Sequence, residues 1–140
     1  MKIGNIVFDC TEPDRVAAFW AAALYYEKGE YPPEMRQALL DGGLEEEELT
    51  DRSIAEDPSG QGPRLFFQRV PEAKTVKNRV HLDINATPGR RATGPELEAE
   101  VRRLTDLGAT VIRHHDQNWG PFPENHYVMA DPEGNEFCVQ

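Results

Sequence analysis

A chain of 140 residues, 39% of them apolar and 9% aromatic, can bury one substantial core and is short for two independent domains. Its net charge of -10 is concentrated: from Glu27 to Asp57, eleven acidic residues stand against only Lys28, Arg36 and Arg52, so this segment holds eight of the ten excess charges. The near balance elsewhere argues against nucleic acid as a partner, because neutralising phosphates calls for a basic face.

The opening "MKIGNIVFDC" has no continuous apolar core of the signal-peptide kind, and no stretch approaches the roughly 20 apolar residues that span a bilayer. With only Cys10 and Cys138 and no export signal, the expectation is a cytoplasmic protein with reduced thiols, no disulfide framework and no membrane partner.

Alternation makes 3–10 a strand, with Ile6 and Phe8 on one side and Asn5, Val7 and Asp9 on the other. Thr11-Glu12-Pro13-Asp14 then reads as a helix start: a hydroxyl for an orphan N–H, Pro in the first turn, and an acid at the positive end. The helix expected over 12–24 offers Val16, Phe19, Trp20 and Ala23 as its buried stripe. The acidic stretch 27–57 reads as an insertion with a short helix after Pro32-Pro33 and a helical turn at 44–49; it is either a solvated cover or a lid or dimer element. "DPSGQGPRLFF" at 57–67 follows as a tight turn leading into a strand.

The second half writes the same plan again. "RVHLDIN" at 79–85 alternates, placing Val80, Leu82 and Ile84 on one face and Arg79, His81, Asp83 and Asn85 on the other. Thr93-Gly94-Pro95-Glu96 opens a helix expected over 94–107, with Leu97, Val101, Leu104 and Leu107 as its stripe and Gly108 as its cap. "RHHDQNWG" at 113–120 reads as a loop, "HYVMA" as a strand, and "DPEGNEFC" at 131–138 repeats the Asp-Pro-x-Gly turn. Asn5 to His81 is 76 residues and Asp57 to Asp131 is 74. Two signals of different kinds recur at nearly one offset, which points to duplication: module one about 1–70 and module two about 77–140, within one domain.

"IVFDCTEPDRVAAFWAAAL", "GPRLFFQRVPEAKTVKNRVHLDINA" and "VMADPEGNEFC" together resemble the glyoxalase-like branch of the vicinal oxygen chelate superfamily, which includes glyoxalase I, bleomycin-resistance proteins and extradiol dioxygenases. The resemblance implies an α+β fold of two paired βαβββ modules whose mixed sheets curl into a cup, commonly in a homodimer. Enzymes of the family hold a divalent metal in the cup; antibiotic-resistance members use a metal-free cavity. The family's ligand positions fall on Asn5, His81 and Cys138, with the fourth near Phe66 or Gln68.

An amide, a phenyl ring and a thiol are a poor replacement for His and carboxylate donors, so no resident metal is expected. If one is present, His81, Glu136 and Cys138 are the set available. The null alternative makes His81 a hydrogen-bonded pocket residue, Cys138 an apolar filler and Glu136 a lining acid. Lys77 and Arg79, ahead of His81, are either anchors for a carboxylate or phosphate, or solvated lead-in with Arg79 paired to Asp83.

In the 113–120 loop, adjacent His114 and His115 point oppositely and make no chelate by spacing, whereas Trp119 and Phe122 are placed to close over a ligand. Asn5, Asp9, Gln68, Arg79, His81, Asp83, Trp119, Glu136 and Cys138 are thus the candidate ligand-binding residues, and His81 and Glu136 the candidate acid–base pair. The expected function is binding of a small organic molecule; the alternative is a metal-dependent lyase, isomerase or dioxygenase acting on vicinal oxygens.

Overall fold

Strand alternation decides which side of each sheet receives a helix. The computed structural model describes residues 3–140, and contacts divide the chain into two compact units, one ending at Ala73 and the other running from Lys74 to Gln140.

In the first unit β1 (Asn5–Cys10) alternates as its sequence requires: Asn5, Val7 and Asp9 are exposed, while Ile6, Phe8 and Cys10 turn towards α1 (Pro13–Leu24). The helix buries Val16, Phe19, Trp20 and Ala23, and the Phe8 ring lies 5.3 Å from Trp20 and 5.2 Å from Phe67. Glu12, not Thr11, is the N-cap residue; it supplies no side-chain cap bond, and Pro13 opens the helix instead. Tyr25 ends it in the left-handed region at φ 57°, letting the Tyr26 N–H reach the Ala21 carbonyl at 2.8 Å.

Then come β2 (Glu27–Lys28), α2 (Pro33–Asp41), a 3-10 helix (Glu46–Asp51), β3 (Arg52–Glu56) and β4 (Arg64–Arg69). α2 buries no residue and the 3-10 helix buries only Leu49, so most of this acidic stretch is solvated; Arg36 bridges the two through Glu46.

The second unit repeats the order with β5 (Leu82–Ile84), α3 (Gly94–Asp106), β6 (Thr110–Trp119), β7 (Phe122–Ala130) and β8 (Glu136–Val139). Both sheets are mixed and four-stranded, ordered β1-β4-β3-β2 and β5-β8-β7-β6, and in each the first strand lies parallel to the last. This is the expected pair of βαβββ modules. Register recovers the offset read from the sequence. Ile54, three residues before Asp57, pairs with Phe66, and Phe66 pairs with Val7. Val128, three before Asp131, pairs with Cys138, and Cys138 pairs with Asp83. Val7 to Asp83 is again 76 residues.

The repeated turns share their chemistry. Asp57 accepts from the N–H groups of Ser59 at 2.8 Å and Gly62 at 2.6 Å; Asp131 accepts from those of Glu133 and Asn135, each at 2.9 Å. In both, the Gly N–H closes on the Asp carbonyl at 2.9 Å with φ positive, 69° at Gly60 and 86° at Gly134, a conformation that favours glycine.

Three expectations are corrected. The 79–85 strand contracts to Leu82–Ile84, because 77–81 runs ahead of the ladder with β8. "RHHDQNWG" is not a loop: its residues pair with β7 from Arg113↔Val128 to Trp119↔Phe122, and cross-strand bonds form a hairpin without an apolar alternation to announce it. Leu107 is 37% exposed and follows the last helical turn, leaving Leu97, Val101 and Leu104 as the buried stripe of α3. The start of α3 matches its reading, with the Thr93 N–H and hydroxyl both donating to Glu96 at 2.8 Å.

Trp20 is 1% exposed, so Trp20→Ala should cost about 3–5 kcal/mol in urea unfolding, while Met35→Ala on the unburied α2 should stay within about 0.5 kcal/mol. Equal losses would contradict the placement of the core against α1.

Candidate functional site

Each sheet leaves one face without a helix, and the two faces differ in chemistry. On the first unit's open face Val7, Phe66 and Ile54 form an apolar row across β1, β4 and β3. Polar rows flank it. Arg64 donates to Asn5 Oδ1 at 2.8 Å and lies 3.6 Å from Glu56; Gln68 donates to Asp9 Oδ1 at 2.7 Å. Asn5, Asp9 and Gln68 are therefore hydrogen-bonded into the sheet surface, around a centre that carries only carbon.

On the second unit's open face the same three positions hold Asp83, Cys138 and Val128, and His81 occupies the place of Asn5. His81 Nδ1 lies 3.2 Å from Asp83 Oδ1 and 3.8 Å from Cys138 Sγ, and one potential ligand atom from each of the three lies within 4.8 Å of the others. His81 and Asp83 are exposed and Cys138 is buried. Burial, followed by the Asp83 carboxylate, pushes the Cys138 thiol up to about 11, so at neutral pH it carries its proton. A nucleophilic relay needs the base to receive from sulfur on one ring nitrogen while the acid holds the other. Here carboxylate and sulfur both approach Nδ1.

The triad lies at one end of a cavity of about 680 Å³, bordered further by Arg90, Arg91, Glu124 and His126. His126 is stacked against His115 at 4.7 Å, and His115 Nε2 lies 3.2 Å from Glu124. Burial, then the His115 charge, holds the His126 imidazole below its ordinary value, favouring the neutral ring. His114 points the other way, stacked on Tyr127 at 4.0 Å, as extended backbone dictates. Arg90 and Arg91 come from the connection between β5 and α3. Arg90 is bonded to both oxygens of Glu96 at 2.9 and 2.5 Å. Arg91 donates to the Pro123 carbonyl at 2.6 Å and, among the described residues, pairs with no carboxylate.

The remaining candidates separate. Glu136 accepts from the Asn78 N–H at 2.8 Å and lies 3.6 Å from Lys74 and 3.7 Å from Lys77; against the cost of burial, these partners hold its carboxyl below the usual range. Arg79 is exposed and does not border the cavity. Trp119 and Phe122 stack at 6.4 Å on the hairpin tip, 72% and 61% exposed, with Phe122 reaching the cavity rim. Sequence reasoning passed over Arg90 and Arg91; the signal was "TPGRRAT", a Pro-Gly turn bearing two cations immediately before a helix.

Residues 5–140 match the profile of the glyoxalase-like domain family. No curated protein matches the chain. Among solved structures, a glyoxalase/bleomycin resistance protein/dioxygenase family enzyme from Burkholderia phytofirmans PsJN is similar at TM-score 0.63 and 12% identity, covering 99% of this chain and 97% of its own. A possible glyoxalase from Bacillus cereus gives 0.57 and 14% over 100% and 98% of the two chains. A mutant of the fosfomycin resistance protein FosX from Listeria monocytogenes, complexed with Mn(II) and 1S,2S-dihydroxypropylphosphonic acid, gives 0.63 and 9% over 99% and 88%. These likenesses concern the fold. No helix among the described residues is long and apolar enough to cross a membrane.

The raised thiol makes a direct prediction. Alkylation of Cys138 by iodoacetamide, followed by peptide mass spectrometry, should climb with pH until about 11, and Asp83→Asn should move the midpoint down. The sign for stability follows: the folded chain holds this proton more tightly than the unfolded one, so the contribution is present below about 9 and lost as pH rises towards 11. A midpoint in the ordinary cysteine range would contradict the geometry.

Proposed function

The chain belongs to the glyoxalase-like domain family, and from that premise we propose that it binds a small organic molecule carrying an anionic or oxygen-rich group in the cavity of its second unit. One observation carries the reading. An open sheet face provides a space of about 680 Å³, within the range of small-molecule sites, and converges His81, Asp83, Cys138 and His126 on it beneath the Arg91 guanidinium. Arg91 is the favoured anchor because its bond to a neutral carbonyl leaves its charge uncompensated, whereas Glu96 neutralises Arg90. Phe122 and Pro123 add apolar wall at the rim. A guanidinium fork suits a carboxylate or phosphate, and neutral His126 can donate or accept a hydrogen bond beside it.

The four ligand positions implied by the family resemblance do not fit a metal: Phe66 has no donor, and Asn5 offers an amide already bonded to Arg64. No step is routed through a metal held by that set. A second reading, a metal-dependent lyase, isomerase or dioxygenase acting on vicinal oxygens, is favoured only by the approach of His81, Asp83 and Cys138. A homodimer in the cytoplasm remains part of the proposal.

A thermal-shift comparison of matched small acids and amines, in the presence of EDTA, tests the main reading. Acids should stabilise the protein and amines should not, and the shift should vanish in Arg91→Ala while persisting in Arg79→Ala. Stabilisation by amines alone, unchanged in Arg91→Ala, would overturn it.

A further inference from the structure

The geometry points to a divalent-metal site of three donors, His81 Nδ1, an Asp83 carboxylate oxygen and Cys138 Sγ, carried wholly by the second unit and suited to a borderline-soft ion such as Zn²⁺. Three independent features lead there. The donors come from two neighbouring strands in fixed register: Asp83 is the ladder partner of Cys138, and His81 precedes Asp83 by two residues, so backbone pairing sets their convergence. Their spacing suits a common centre. Zinc bonds of about 2.3 Å to sulfur and 2.0–2.2 Å to nitrogen or oxygen place tetrahedral neighbours about 3.3–3.6 Å apart. The observed N···O and N···S separations are 3.2 and 3.8 Å.

The third feature is the contact pattern on the imidazole. Carboxylate and sulfur gather on a single ring nitrogen, an arrangement that serves an ion between them and disrupts a proton relay through the ring. Exposure of His81 and Asp83 leaves the cavity side open for a fourth ligand, as three-ligand zinc sites require.

The first unit provides an internal comparison. The equivalent positions there are Asn5, Val7 and Phe66, which cannot hold an ion between them. The set also differs from the one available on paper: Asp83 takes the place of Glu136, whose carboxylate is committed to Asn78, Lys74 and Lys77. Binding is balanced by proton release: the S–H bond of Cys138 breaks, the sulfur lone pair goes to the metal and the proton to solvent.

The inference rests on the pocket of the proposed function, but its test contains no organic ligand, so either reading can fail alone. Protein made without a His tag and stripped of metal is titrated anaerobically with Co²⁺ and then Zn²⁺. A thiolate-to-cobalt charge-transfer band should saturate at one equivalent and be bleached by zinc. Cys138→Ser should abolish the band and Cys10→Ser should leave it. Because the buried Cys138 variant may fold poorly, the exposed Asp83→Ala is the second variant; it should weaken Co²⁺ binding at least ~10-fold, while Glu136→Gln should not. Absence of a thiolate band, a band that survives Cys138→Ser, or equal affinity in Asp83→Ala would overturn the assignment.

Discussion

The parallel pairing of first and last strands within each unit is the constraint from which the rest follows. β1 lies beside β4 and β5 beside β8, so residues more than fifty positions apart become ladder neighbours. The crossover helix covers one side of each sheet, as a βαβ connection must. Parity then assigns every residue. Leu65, Phe67, Phe137 and Val139 go under a helix, while Phe66 and Cys138 go to the open face. Chemistry can accumulate on that open face because its side chains are not needed to fill the core.

Charge follows a similar division of labour. The acidic excess sits in and around α2 and the 3-10 helix, elements that bury almost nothing. Exposed charges on such a segment are screened within roughly 8 Å at physiological salt. The field felt by a ligand in the second unit is therefore set by its immediate walls: Asp83 and Glu124 against Arg91, with Arg90 tied to Glu96. Net charge describes the chain's solubility better than its binding preference.

Much of the fold was legible because its signals are local. Pro-initiated helix starts, a 2-residue alternation in β1 and two Asp-Pro-x-Gly turns are written within a few residues each. Their nearly common offset turns four local signals into a duplicated architecture. The site was legible only in part, for a physical reason. His81, Asp83 and Cys138 could be placed on one face by alternation, but which acid accompanies His81 depends on competing partners. Glu136 is drawn off by Lys74, Lys77 and a backbone N–H that no pattern near residue 136 announces. Arg91 was invisible for a similar reason, since its bond to Pro123 crosses 32 positions of chain. β6 was misread because a hairpin of exposed polar residues is held by cross-strand bonds, which leave little trace in hydrophobic periodicity.

Comparison of the two units also shows where this architecture absorbs changes in length. Asp57 precedes β4 by seven residues but Asp131 precedes β8 by five, and the connection from first strand to helix is short after Cys10 and long after Ile84. Insertions have thus been tolerated in turns and crossovers, and the added length after Ile84 is what carries Arg90 and Arg91 to the cavity. The ladders permit no such freedom. Deleting one residue between His81 and Asp83 would turn one of them to the helix side, trading a charged or polar group for core volume. Drift in such a fold is expected to proceed by lengthening and shortening its connections, with the strands acting as a fixed ruler against which new loops are tried.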